Sequence, residues 1–369
     1  SSDVCSSDLM AKIVIATILD NINTGTFLQA LALGVCVRKL GHNPVLVNYS
    51  RPHLRFVYLV KNVFRNQSKS FFRKGLSIIN ISLEQILRMR LKHIVRKVIP
   101  MCSLNTLSKI DDRNTIYMTG SDQVWNNEYN RGIDPVFYLD FAPQHAKKIA
   151  YAASIGQNSL SDIEKESMRS ALKCYACLTV REDLAKAQLT ELGYDSTQVL
   201  DPTLLLSKEE WLSVFKKSSF IKVEPFLLVY SVEWNNDDLI MKLAKDIASL
   251  RGLKIYVYST SWNVKSVKCD KRFVFGTPDL FISLFSKADY VIVSSFHGTA
   301  FSINFNKQFL AVLPDKYSSR SVSILNKFNL SRRMYNGETA INDIDYTPVN
   351  AILSTERNKS MSILAKMVN

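Results

Sequence analysis

Asp289-Tyr-Val-Ile-Val-Ser-Ser-Phe-His-Gly-Thr-Ala-Phe-Ser-Ile-Asn-Phe305 is an apolar run that stops at two serines and restarts, after a histidine and a glycine, with helical character. A short apolar run bounded by turn residues reads as a buried strand, and the serine, histidine and glycine that follow open a helix. A buried strand feeding a helix through a tight polar loop is the building unit of parallel α/β sheets. It puts His297 at a helix N-terminus, beside backbone N–H groups that lack intrahelical partners, where anions bind. The helix field alone disfavours an imidazolium, whereas a bound phosphate favours it. His297 is therefore read as a group that holds a proton while an anionic substrate is present, with Ser294, Ser295, Gly298 and Thr299 as flanking donors.

The same alternation extends outward in both directions. Towards the N-terminus, strands are expected at Ile13 to Leu19, Pro44 to Tyr49, Thr115 to Thr119, Lys148 to Ser154, Cys177 to Val180 and Gln198 to Leu200. Helices are expected from Thr26 to Leu40, from Ser161 with the capping box Ser161-Asp-Ile-Glu164, and from Glu182 to Leu192. A second set of strands starts at Phe226, Lys254, Phe273, Tyr290 and Phe309, with helices near 237–250, 279–286 and 298–305. The expected architecture is α/β, two doubly wound Rossmann-like domains facing a cleft. One spans 10–205 and carries a basic helical insertion at 51–100; the other spans 222–346. A helical pattern at 347–369 is a candidate to pack back on the first domain. In such folds ligands bind outside the carboxyl ends of the strands, so the chemistry is sought in the loops after them.

Composition narrows the function classes. With 369 residues, 47% hydrophobic and 22% charged, the chain can bury two cores. Its 12 glycines are about half the usual share, and no G-x-G-x-x-G or G-x-x-x-x-G-K-[ST] occurs, so the glycine-rich phosphate loops are excluded. No apolar run approaches the ~20 residues of a bilayer-spanning helix. Six scattered cysteines suit a reducing, cytoplasmic setting, and Cys174-x-x-Cys177, without a second pair at zinc spacing, reads as packing; no metal site is expected. Ser1–Leu9 reads as a non-native leader before a start at Met10. Within 51–100, twelve Lys or Arg face one acid, Glu84, a surplus of +11 in a chain of net +14. Apolar residues interleave with these charges at helical spacing. Solvated helix faces, and a surface for an anionic membrane or a lipid-pyrophosphate acceptor, both remain open; nucleic acid is disfavoured because no recognised motif accompanies the charge.

Three further loops carry candidate residues. Tyr117-Met-Thr-Gly120-Ser121-Asp122-Gln123 ends a strand at glycine and presents Ser121, Asp122 and Gln123, with Asp122 able to bind hydroxyls or act as a base. Asp20-Asn-Ile-Asn23-Thr-Gly25-Thr-Phe-Leu-Gln29 opens a helix with Asn23 and Gly25, which suits a cap or an anion cradle alike. Arg181, at a strand end beside Glu182, is read either as a fork for a carboxylate or phosphate or as a local ion pair. Arg320 is a further candidate of the same kind. From Tyr290 through Pro314 there is no Asp or Glu. A sugar-nucleotide site commonly uses a carboxylate there for the ribose hydroxyls, so a small anionic donor is favoured over a nucleotide.

At these residues the chain resembles the polysaccharide pyruvyl transferase family. The likeness is carried, in order, by Asn23-x-Gly25 with Leu28-Gln29, Gly120-Ser-Asp-Gln-Val-Trp-Asn126, Tyr151-Ala-Ala-Ser-Ile-Gly156, Val180-Arg-Glu182, Leu200-Asp-Pro-Thr-Leu-Leu-Leu206 and Ser295-Phe-His-Gly-Thr-Ala-Phe-Ser302. The resemblance implies a glycosyltransferase-B-like fold, phosphoenolpyruvate as donor and co-substrate with no other cofactor, and a saccharide or lipid-linked oligosaccharide as acceptor. The pyruvyl group would become a ketal across two hydroxyls, with phosphate released. The family's histidine falls on His297 and its arginine on Arg181. The residues suit that chemistry independently, since protonating the donor's methylene needs an acid that titrates near neutrality, and its phosphate and carboxylate need donors. Two other readings stand beside it: a nucleotide-sugar glycosyltransferase of the same fold, and a non-catalytic membrane-surface module of polysaccharide assembly.

Overall fold

Every apolar run that reads as a strand enters one of two all-parallel sheets. The computed structural model describes residues 10–66, 70–107, 109, 114–215, 224–232, 237–259, 268–314, 316, 318–337 and 342–369; the Ser1–Leu9 leader lies outside them. The first sheet contains β1 Lys12–Ala16, β2 Asn43–Val47, β3 Met101–Cys102, β4 Thr115–Thr119, β5 Lys147–Ala153, β6 Tyr175–Val180 and β7 Thr197–Gln198, in the order β3-β2-β1-β4-β5-β6-β7. The second contains β8 Phe226–Tyr230, β9 Lys254–Ser259, β10 Lys271–Val274, β11 Tyr290–Val293 and β12 Gln308–Ala311, in the order β10-β9-β8-β11-β12. The central strands β4, β8 and β11 are buried throughout, as a parallel sheet covered on both faces requires.

The helices, in chain order, are α1 Thr24–Lys39, α2 Phe56–Arg65, α3 Phe71–Arg96, α4 Leu104–Leu107, α5 Asn127–Asn130, α6 Asp162–Leu172, α7 Asp183–Glu191, α8 Pro202–Leu205, α9 Lys208–Val214, α10 Asp237–Arg251, α11 Pro278–Lys287, α12 Phe296–Asn304, α13 Ser319–Lys327 and α14 Tyr346–Val368. The basic stretch at 51–100 forms α2 and α3, and it is the crossover between the adjacent strands β2 and β3. Its two-residue return strand is too short to leave a periodic signal in the sequence. Among the described residues no helix is long and apolar enough to cross a membrane.

Strand order reverses between β1 and β4 in the first sheet and between β8 and β11 in the second. These are the switch points at which open sheets leave a crevice for ligands. The two halves are fastened by the buried segment after β7. Asn304 Nδ2 at the end of α12 donates to Thr203 O and Leu206 O, both at 2.9 Å, and Trp211 packs on Phe301 with ring centroids 5.3 Å apart. The last helix lies on the first half: Ser360 Oγ accepts from Leu200 N, and Arg357 Nε donates to Leu204 O at 2.7 Å.

Candidate active site

Between the two switch points lies a cleft of about 370 Å3. Its walls come from the segments that follow β1 (Asn21, Asn23 and, in the first turn of α1, Thr26), β2 (Arg51, His53), β4 (Asp122, Gln123), β11 (Ser294, Ser295 and, in the first turn of α12, His297) and β12 (Pro314), and from the first turn of α13 (Arg320, Ser321). Both sheets therefore contribute through their carboxyl edges.

His297 is the second residue of α12 and is 3% exposed. Its ring packs against the first turn of α1, where a Cβ at Gly25 would stand 2.5 Å from His297 Cβ and Cγ and 2.6 Å from Nδ1. Gly25 is thus a clearance for the imidazole, and the side chain closes the two halves against each other. Nε2 is buried without a hydrogen-bond partner. Burial pushes the imidazole below its ordinary pKa of 6.5; the carboxylates of Asp201 and Asp122 oppose that shift, while Arg181 and Arg320 add to it. In the free protein the histidine is therefore neutral at pH 7.

Asp122 sits at φ +70° and has both carboxylate oxygens engaged. Oδ1 accepts from Arg181 Nη2 at 3.0 Å and from the Gln123 amide at 2.9 Å, while Oδ2 accepts from Thr26 Oγ1 at 2.8 Å. Burial alone would raise its pKa, but Arg181, His297, Arg320 and the Thr26 hydroxyl together hold it far below the carboxylate range. Such a carboxylate accepts hydrogen bonds and is a poor acceptor of protons.

Arg181 does not face the cleft. Its side chain is fully buried, with Nη1 2.7 Å from Asp201 Oδ2, Nη2 bonded to Asp122, Nε 3.6 Å from Glu182 Oε2, and the guanidinium 4.4 Å above the Phe296 ring. The fork expected for a substrate anion instead ties the loop after β4 to the segment after β7, so Arg181 positions Asp122. Glu182 turns to its own side, accepting from Ser154 Oγ at 2.7 Å and from the Ile155 and Gly156 amides.

Several other sequence candidates also lie off the cleft. Ser121 Oγ donates to Asp201 Oδ2 and Ala152 O, and Gly120 holds φ +109° where a Cβ would strike Tyr151 O at 2.1 Å. That glycine serves strand packing, not ligand approach. The Gly298 amide donates to Ser295 Oγ at 3.1 Å and the Thr299 amide to Ser295 O at 3.0 Å, so neither is available to an anion. Ser295 is the N-cap of α12 and its hydroxyl takes the third amide. Asn23 remains on the wall, with Oδ1 capping the Gly25 amide and accepting from Tyr230 OH at 3.0 Å. Ser294 Oγ pairs with Ser231 Oγ at 2.7 Å.

Arg320 does reach the cleft. With its carboxamide oxygen turned towards the guanidinium, Gln123 accepts from Nη2 at 3.1 Å and Nη1 at 3.2 Å. Sequence reasoning missed Arg51, whose guanidinium and amide bind Asp20 through four hydrogen bonds of 2.7 to 3.2 Å. The usable signal was that both residues follow apolar runs which pair as neighbouring strands.

The sequence profile of the polysaccharide pyruvyl transferase family matches residues 23–316. No curated protein matches the chain. Among solved structures, a protein from Listeria monocytogenes described as a UDP-N-acetylglucosamine 2-epimerase is similar with a TM-score of 0.52 and 9% identity, covering 96% of this chain and 91% of that one. UGT89C1 from Arabidopsis thaliana, complexed with UDP-L-rhamnose, is similar with a TM-score of 0.49 and 8% identity, covering 98% and 99%. At 9% identity the first likeness establishes a shared two-domain, glycosyltransferase-B-like fold; ligands do not transfer with a fold.

Proposed function

Since the chain belongs to the polysaccharide pyruvyl transferase family, we propose that it moves pyruvate from phosphoenolpyruvate to a saccharide of a cell-surface polysaccharide or of its lipid-linked precursor, acting on the cytoplasmic side. The observation that carries this is the pairing of a buried imidazole, His297, with the Arg320 guanidinium in one cleft. Asp122, the single carboxylate among the described lining residues, is already neutralised by Arg181. Such a cleft attracts a small polyanion, and its described lining offers no free acid to ribose hydroxyls.

The reaction then divides among these residues. Arg320 and the hydroxyls of Ser294 and Ser295 hold the donor's phosphate and carboxylate. The charge they gather raises the pKa of His297, which takes up a proton and delivers it from the ring to the methylene carbon. One acceptor hydroxyl attacks the resulting cationic carbon and returns its proton to the neutral imidazole. A second hydroxyl attacks the same carbon, the carbon–oxygen bond to phosphate breaks, and the hydroxyl proton leaves on the phosphate. Asp122, too weak a base to take these protons, orients the attacking hydroxyls. Phosphate release from phosphoenolpyruvate in the presence of a polyhydroxylated glycoside tests the assignment. No release with any acceptor, together with tight binding of a nucleoside diphosphate, would overturn it.

Two variants check the geometry. Arg320→Gln removes the cationic contact to the donor and leaves the Arg181 network intact; the expected result is a KM for phosphoenolpyruvate raised by about tenfold to a hundredfold, as for loss of one charge-assisted bond. A KM within twofold of the parent would remove Arg320 from the donor site. Gly25→Ala places a methyl against the imidazole. Displacement of a catalytic group by about 1 Å costs on the order of 10²-fold, so kcat is expected to fall steeply although alanine is the better helix former. An unchanged kcat would show that the ring contact does not set its position.

A further inference from the structure

α3 buries only Leu87, Arg88, Leu91 and Val95 of its 26 residues, so its N-terminal half has little core to pack on. Phe72, Leu76, Ile79 and Ile86 recur at three-, four- and seven-residue intervals and share one helical face. They are 74%, 47%, 56% and 57% exposed, and Phe71, Val57 and Phe64 are exposed as well. An apolar row of this extent, left in water, marks an interaction surface. Arg90 continues the row one turn beyond Ile86, and Lys61, Arg65 and Arg73 are exposed among the aromatics. The only acid of the whole stretch, Glu84, is paired with Arg88.

The charge decides between occupants. A second copy would bring two cationic surfaces, each carrying exposed Lys61, Arg65, Arg73 and Arg90, into contact, which is repulsive. A nucleic-acid backbone would satisfy the arginines and leave the apolar row in water. An anionic lipid surface satisfies both, with the apolar row at the acyl boundary and the cations among headgroups. We propose that the α2–α3 hairpin is an interfacial membrane anchor that seats the protein on an anionic leaflet. Leu54, on the cleft wall, lies two residues before α2, so the anchor is joined directly to the site. The inference rests on the exposed row and the charge, and stands apart from the choice of donor.

The test is co-sedimentation of the full chain with vesicles of phosphatidylcholine alone and of phosphatidylcholine mixed with phosphatidylglycerol. Binding is expected only to the mixed vesicles and is expected to weaken as salt is raised. Phe72→Ser with Ile79→Ser, and separately Arg73→Gln with Arg90→Gln, are each expected to weaken it by about tenfold or more, with the circular dichroism spectrum unchanged. Equal binding to both vesicle types, no binding to either, or full binding by both double variants would overturn the proposal. So would a dimer that Phe72→Ser with Ile79→Ser converts to monomer while vesicles are ignored.

Discussion

Replacing His297 with glutamine is expected to reduce phosphate release from phosphoenolpyruvate by about 10²- to 10⁴-fold, the usual loss when a positioned proton donor is removed. Glutamine fills much of the same space against Gly25 and carries no proton to give, so loss of rate is separable from loss of fold. The pH profile adds a sign. Burial holds the imidazole of the free protein below its ordinary pKa, and the step needs the protonated form. The parent's kcat/KM, which reports free enzyme, should therefore fall as pH rises through a value below 6.5. In the complex the donor's negative charge favours the imidazolium, so the fall in kcat should lie at higher pH. Stability moves the other way. A histidine with a lowered folded pKa contributes stability that is present above its unfolded pKa and lost as pH falls through the folded one. The glutamine variant should lack that acid-side slope. Retention of either the rate or the pH limb in the variant would exclude His297 as the acid.

The fold was legible because parallel strands buried on both faces are continuous apolar runs, as at Tyr290–Val293 and Phe226–Tyr230, and because caps such as Ser161 and Ser207 carry their glutamates three residues on. The strand β3 escapes the reading since two residues have no period, whereas β7 overlaps the short strand expected at Gln198 to Leu200. Within the site, a residue's position at a strand end was readable, and Asn23, Asp122, Gln123, Ser294, Ser295, His297 and Arg320 all reach the cleft. What a side chain faces was not. The partners of Arg181 lie 59 residues before it at Asp122 and 20 after it at Asp201, and only the packed sheet brings them together. Gly298 and Thr299 looked available because helix N-termini expose amides; Ser295, a strong N-cap residue type, already takes both. The cap was present in the sequence, and it should have lowered the expectation of a free anion nest.

Replacing Arg181 with methionine is expected to be the most damaging single change to stability, at about 3 to 5 kcal/mol, the cost of stranding a buried charge by removing its partner. Methionine keeps the stem over Phe296 and removes the guanidinium that neutralises Asp122 and Asp201. Urea unfolding at neutral pH measures the loss, and its pH dependence identifies the cause. In the parent, burial would raise both aspartates, but Arg181 and His297 hold them below the usual carboxylate pKa. Their contribution is thus present above the unfolded value of about 3.9 and lost only as pH falls through the depressed folded values. In the variant the same carboxylates keep their burial and lose their main counter-charge, so they bind protons at higher pH than in the parent. Acidification from pH 7 towards 4 should then narrow the gap between the two proteins. Arg181→Lys, with one ammonium where two nitrogens each serve one aspartate, should recover part of the loss. A gap that stays constant with pH would assign the damage to lost packing on Phe296. An activity loss without any loss of stability would return Arg181 to the substrate.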